Sequence, residues 1–290
     1  MDKEVLQNKI RTVYSLATLP EIYNKISVLI DDPKTSADTL ASVISRDETL
    51  TAKVLRIANS PFYKTYPEKI TSLTFAVALL GFNATKNLIL SASIFDMFQG
   101  FEDRFKLIIK DFWTHSITCG VASKIIAQVI NYITPEEMFV AGLLHDIGKV
   151  VELQFMPEEF RKIIELMNEK DIFMNDAELK VLKYTHTYTG KLLAKHWNLS
   201  DKIIDCIEFH HEPEFVYKGT LAQHQTRVFI IHLANVFSHT IELGAKIPPF
   251  NEEICEMIQL KVNMVESILY QLEKESQDAV SYLFSEKTMT

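Results

Sequence analysis

The segment Ala141-Gly142-Leu143-Leu144-His145-Asp146-Ile147-Gly148-Lys149-Val150 constrains this chain more than any other, because it sets an imidazole beside a carboxylate at the end of an apolar helical run. Such a pair offers one nitrogen and one oxygen donor, which suits a divalent first-row cation. Two ligands hold a metal poorly, so a working site must draw further donors from distant parts of the chain. The sequence has candidates in order. Of nine histidines, His115 lies upstream in Phe112-Trp113-Thr114-His115, His186 lies downstream in Thr185-His186-Thr187, and His210-His211 precede Glu212-Pro213. Neighbours on a helix point about 100° apart, so neither His145-Asp146 nor His210-His211 is a pair of ordinary core side chains. His115 alone, among Phe112, Trp113 and Ile117, reads as a hydrogen-bonded core histidine; the set together reads as a site.

The surroundings of these residues are helical. Apolar positions recur at spacings of three and four, and 8 Gly and 9 Pro leave room for few turns. Helices are predicted over 5–17 and 21–30, then from a cap at Thr35 or Ser36 to Ile44, and over 48–58 with Asp47 as N-cap. Turn chemistry with buried aromatics fills 59–67, and helices follow over 71–81 and 83–97, the latter with Thr85, Lys86 and Asn87 on a solvated face. Gln99-Gly100-Phe101-Glu102-Asp103 marks a boundary. Beyond it, a helix over 105–130 carries His115, and Thr134-Pro135-Glu136-Glu137 opens the helix that delivers His145. Further helices are predicted over 157–170, over 176–184 running on to His186, over 188–197, and from Ser200 to His210-His211, where Pro213 stops the run. A long helix over 221–243 holds Ala234-Asn235, and after Pro248-Pro249 come a short helix from Asn251 and a last one over 262–283. There is no convincing strand pattern and no repeat. The chain is therefore expected to be all-α in three parts: 1–100, a histidine-bearing part over 101–245, and an extension over 246–290.

These motifs, with Leu19-Pro20, Ile44-Ser45-Arg46-Asp47, Leu55-Arg56-Ile57-Ala58-Asn59-Ser60, Ile70-Thr71-Ser72-Leu73 and Leu79-Leu80-Gly81, resemble the HD superfamily of helical metal-dependent phosphohydrolases. Within it the sequence is most similar to the HDOD group, whose members are regarded as signalling output modules. The resemblance covers roughly 19 to 239 and implies a multi-helix HD-domain-like bundle with an N-terminal helical subdomain. In HD-GYP relatives the corresponding histidines and aspartate hold two or three metal ions, and a bridging water attacks a phosphodiester. Carried over, His115, His145 and Asp146 bind one divalent ion such as Fe or Mn, Asp146 bridges, and His186, His210 and His211 serve a second. Lys149 then meets a phosphate oxygen, and Asp146 and Lys149 are the catalytic residues if the site is active. Cations paired in this way neutralise a phosphoryl transition state and acidify bound water.

Two positions depart from that pattern. Where the metal-binding family has its last aspartate this chain has Asn235, and Glu212 leads into Pro213-Glu214-Phe215 in place of a Gly-Tyr-Pro loop. Asp146 is then the only carboxylate assigned to the metals unless Glu212 joins it. His196, His224, His232 and His239 match no motif position and read as surface or core residues, with His232 one turn before Asn235.

Thirty basic and thirty-eight acidic side chains give a net charge of −8, which disfavours nucleic acid and anionic membranes as partners. Met1-Asp2-Lys3-Glu4 lacks a basic, apolar leader, and no apolar run reaches the roughly 20 residues of a membrane span, so the cytoplasm is expected. Cys119, Cys206 and Cys255 stand apart and read as reduced, buried fillers. The leading expectation is a bacterial-type regulatory module that retains a metal pocket and works through signalling protein partners or a nucleotide-type ligand. The alternative is a metal-dependent phosphohydrolase of a nucleotide or cyclic dinucleotide.

Overall fold

The computed structural model describes residues 21–59, 68–97, 105–217, 224–242, 246–248 and 250–284. The helix expected over 5–17, most of the 59–67 loop, the 99–103 boundary and the first residues of the helix expected from 221 lie outside them. Among the described residues there are sixteen α-helices, one short 3-10 helix and no strand.

Five helices form the N-terminal part: α1 (Glu21–Ile30), α2 (Ala37–Ile44), α3 (Glu48–Ala58), α4 (Leu73–Leu80) and α5 (Phe82–Met97). Short side chains start three of them. Ser36 Oγ accepts from the Thr39 amide at 3.1 Å, Asp47 Oδ1 from Leu50 at 2.9 Å, and Ser72 Oγ from Phe75 at 3.3 Å. The Ser72 cap places the start of α4 at Leu73, two residues later than expected. Gly81, at φ 81°, separates α4 from α5, and the two helices are bent by 116°. Thr85 is buried, with its hydroxyl donating to the Gly81 carbonyl at 2.8 Å, so the solvated face expected there does not include it. Lys86 lies 5.8 Å from the centroid of the Tyr23 ring.

The histidine-bearing part comprises α6 (Lys106–Val129), α7 (Pro135–Leu144), α8 (Ile147–Phe155), α9 (Pro157–Lys170), α10 (Met174–Val181), α11 (His186–His196), α12 (Asp201–Phe209), α13 (Glu214–Tyr217) and α14 (Gln225–Ile241). After it come α15 (Glu252–Met257), the 3-10 turn Val262–Met264 and α16 (Val265–Phe284). The centre of the bundle is α6, buried from Ser116 to Ala127 and packed on α7, α14 and α16. Buried residues from Tyr23 and Ile26 through Ile117, Leu144, Ile207 and Phe229 to Leu272 make one contiguous apolar cluster, and α5 joins the two parts by packing on α7. Each such aliphatic side chain contributes roughly 1.5–3 kcal/mol on burial.

The helix expected to run on to His186 stops short of it, and His186 opens the next one. α10 stops at Val181, Lys183 takes a left-handed φ of 72°, and a new helix begins at His186. The break is held by Glu178, whose Oε2 accepts from the His186 amide at 2.9 Å. The three cysteines are buried, unpaired thiols. Among the described residues no single helix is long and apolar enough to cross a membrane.

Candidate metal centre

Two glycines set the geometry of the HD segment. A Cβ at Gly142 would meet Ser123 Oγ at 2.5 Å and the Cys119 carbonyl at 2.7 Å, so α7 lies directly on α6. A Cβ at Gly148 would come 1.9 Å from the His186 carbonyl, so α8 lies directly on α11. Between them, His145 ends α7 and Asp146 begins α8. The contact with α6 brings the His115 and His145 rings to 5.3 Å, and the contact with α11 brings in His186.

Asp146, 1% exposed, is the hub. Its Oδ1 is 3.0 Å from His186 Nε2 and 3.4 Å from His210 Nε2, while its Oδ2 is 3.3 Å from His145 Nε2 and 3.7 Å from His115 Nε2. Lys149, one turn on, pairs with the same Oδ2. His211 closes the group, its Nε2 lying 3.2 Å from that of His186.

The opposite edge of each ring is occupied. His145 Nδ1 is 2.7 Å from the Gly142 carbonyl and His210 Nδ1 is 2.9 Å from the Ile207 carbonyl, so both nitrogens must donate. His115 Nδ1 bonds Glu242 at 2.7 Å, and His186 Nδ1 bonds Glu178 at 2.9 Å. In four rings, therefore, a carbonyl or carboxylate holds Nδ1 and leaves Nε2 turned toward Asp146. That is how imidazoles are oriented for metal ligation. The donor set fits a divalent cation on this ground: His115 Nε2, His145 Nε2, His210 Nε2, Asp146 Oδ1 and Asn235 Oδ1 are buried with no hydrogen bond. One unsatisfied buried group costs about 1–3 kcal/mol, and several pointing together call for a shared partner. Two sets of mutually adjacent donors share Asp146, one with His186, His210 and His211 and the other with His115 and His145.

Electrostatics separate these rings. Burial opposes charge on His145, but Asp146 and Cys119 outweigh it and raise its pKa to about 9. His186 is also raised, with Glu178 and Asp146 overcoming burial. Burial dominates at His210, which falls to about 3, and at His211, held well below the usual imidazole range by burial and by His210 and His186. Asp146 lies well below the carboxylate range, because His145, Lys149 and His186 outweigh its burial. The pocket attracts positive charge, and its His210 side offers neutral donors.

Asn235 is 2% exposed on α14. It shares a helix face with His232, whose Nδ1 donates to the His210 carbonyl at 2.8 Å, and with His239, which stacks on His115 at 4.4 Å. His239 was expected to be a surface or core residue, and it instead flanks His115 while pairing with Glu242 at 3.3 Å. Glu212 is exposed, so the additional carboxylates stand elsewhere. They are Glu178 behind His186 and Glu242 behind His115, the latter lowered to about 2 because bonds to His115 and His239 exceed the effect of its burial. Behind Glu178 lies Glu152, fully buried, accepting from Thr189 at 3.1 Å and held well above the carboxylate range by burial and by the Glu178 charge. Three of these residues were open to detection in the sequence. Glu152 interrupts the apolar run Val150-Val151-Glu152-Leu153, and His239 and Glu242 continue the face of Asn235 at spacings of four and three.

An all-α bundle closed around an HD pair and converging histidines defines an HD-type domain. The chain belongs to the HDOD family, whose domain matches residues 16–213. An HDOD domain protein of unknown function from Geobacter sulfurreducens is similar in structure at a TM-score of 0.77 and 28% identity, covering 98% of this chain and 100% of that one. A Marinobacter aquaeolei protein provisionally named for signal transduction shares the fold at a TM-score of 0.74 and 21% identity, covering 96% of this chain and 64% of that one. An uncharacterized protein of Treponema pallidum is 25% identical over 194 residues, and the match spans 67% of this chain but only 37% of that protein.

Proposed function

We propose that the chain is a cytoplasmic HDOD regulatory module whose histidine cluster holds one or two divalent cations, Fe or Mn, and which acts through protein partners. The observation that supports this reading is the set of four imidazoles with Nδ1 tied back and Nε2 facing Asp146. His115, His145 and Asp146 would hold one cation, and Asp146, His186, His210 and His211 a second. A bound cation there would polarise an anionic ligand or acidify water. The chain's own residues favour retention over turnover. Asn235 contributes no charge to offset a second cation. The name of the Marinobacter protein agrees with a signalling role.

Metal content after anaerobic purification tests the reading. The wild type is expected to carry at least one equivalent of Fe or Mn and Asp146→Ala none; a metal-free wild type that takes up neither ion would end it. The second reading, a metal-dependent phosphohydrolase of a nucleotide or cyclic dinucleotide, is favoured by Lys149, whose side chain is 20% exposed at the rim and can turn to a phosphate. It requires that the Mn-loaded protein hydrolyse bis(p-nitrophenyl) phosphate and that Lys149→Met abolish the reaction.

A further inference from the structure

A separate cleft of about 520 Å³ opens at the other end of the helices that carry the metal centre, lined in part by Tyr132, Thr134, Glu137, Lys202, Arg227 and Met257. Thr134 and Glu137 belong to the start of α7, Lys202 to the first turn of α12 and Arg227 to the first turn of α14. Glu137 precedes His145, Lys202 precedes His210 and Arg227 precedes Asn235 by eight positions each, which is about 12 Å of helix. The cleft is therefore distinct from the histidine cluster.

Its chemistry is that of an anion site with an apolar wall. Three helices of nine or more residues begin on it with no side chain capping their first amides, and Glu136, Glu137 and Asp201 in the first turns of α7 and α12 offset part of their positive ends. The Arg227 guanidinium lies 5.3 Å from the centroid of the Tyr132 ring, and its Nε is buried with no hydrogen bond. Glu137 stands 3.7 Å from the guanidinium, too far for a bidentate pair, and its charge is opposed by both Arg227 and the exposed Lys202. Among the apolar lining residues Ile133 is 93% exposed and Met257 40%, next to Ile258.

We propose that this cleft binds a small organic anion, with a phosphate or carboxylate head on Arg227 and Lys202 where the three helices begin and an apolar body against Ile133, Met257 and Ile258. The head meets the part of the guanidinium that reaches the cleft, and the body covers Ile133.

The test titrates phenyl phosphate and benzoate by calorimetry into the full chain after removal of metal with EDTA, so that no cation can draw either probe to the histidine cluster. Saturable millimolar binding of at least one probe is expected, weakened at least tenfold by Arg227→Gln and by Lys202→Glu, and changed less than twofold by Asp146→Ala. Tighter phenyl phosphate assigns a phosphate head and tighter benzoate a carboxylate head. Failure of both probes to bind, wild-type affinity in the two cleft variants, or loss of binding in Asp146→Ala would overturn the assignment. If circular dichroism shows that Arg227→Gln does not fold, Lys202→Glu decides the matter alone, because its position is exposed.

Discussion

The carbonyl of His186 lies so close to Gly148 that a Cβ on residue 148 would stand 1.9 Å from it, and the Gly190 amide would be 2.8 Å away. α8 and α11 meet backbone to backbone, and this contact holds His186 Nε2 3.0 Å from Asp146 Oδ1. Gly148→Ala must therefore push α11 outward and carry His186 with it. The expected cost is about 1–3 kcal/mol of stability, in line with overpacking, together with loss of bound metal. Thermal denaturation and metal analysis check both. A variant with wild-type Tm and full metal content would show that α11 yields without moving His186.

Glu178 acts on His186 from the other side, accepting from its ring Nδ1 and from its backbone amide. Glu178→Gln keeps an acceptor in place but removes the charge that makes the imidazole a stronger donor to a cation. Affinity for Mn²⁺ should fall about 10- to 100-fold. Calorimetric titration of the two proteins reads this directly, and equal affinities would leave Glu178 as a packing residue only.

A pH effect follows from Glu152, whose carboxyl is held well above its ordinary value of 4.5 by burial and then by the Glu178 charge. A folded pKa above the unfolded one means that the native state binds more protons, so the contribution is fully present below about pH 4.5 and is lost as pH rises through the folded value. Glu152→Gln fixes the neutral form, can still accept from Thr189, and can donate to Glu178. It should flatten the loss and exceed wild-type stability at pH 8 by about 1–3 kcal/mol. Urea unfolding of metal-free protein across pH 5 to 9 measures the two slopes, and parallel slopes would exclude this role for Glu152.

What was legible in the sequence depended on the range of the signal. Caps such as Ser36, Asp47 and Asn251 act within three residues, and helices α2, α3 and α15 begin where those side chains accept from the chain that follows. The HD pair and the other histidines stood out because few arrangements of ordinary core residues need adjacent imidazole and carboxylate. The break before His186 carried no such mark. Lys183 adopts the left-handed conformation without being Gly or Asn, and the contact that holds the break joins Glu178 to His186 across eight residues. His239 and Glu242 follow Asn235 at helical spacing, yet the sequence reads His239 as a surface or core residue and gives Glu242 no role, because nothing local shows that this face meets His115, 124 and 127 positions earlier.

The sharpest prediction concerns Asn235. Its Oδ1 is buried without a hydrogen bond, on a helix face between a residue that touches the His210 carbonyl and one that stacks on His115. Asn235→Asp adds a charge of the sign that a cation requires, with almost no change in shape. Without metal that charge is buried and uncompensated, which should cost a few kcal/mol and lower Tm. With metal it becomes a charged oxygen ligand, stronger than a neutral amide, and affinity for Mn²⁺ should rise at least about tenfold. The variant should therefore be less stable than wild type in EDTA and gain more from Mn²⁺, and slow hydrolysis of bis(p-nitrophenyl) phosphate is expected once it is loaded. Thermal denaturation with and without Mn²⁺, beside calorimetry, separates the two effects. A loss of Tm that Mn²⁺ does not reverse, with unchanged affinity, would place Asn235 outside the cation's reach and leave the retained charge balance of the pocket to Asp146, Glu178 and Glu242 alone.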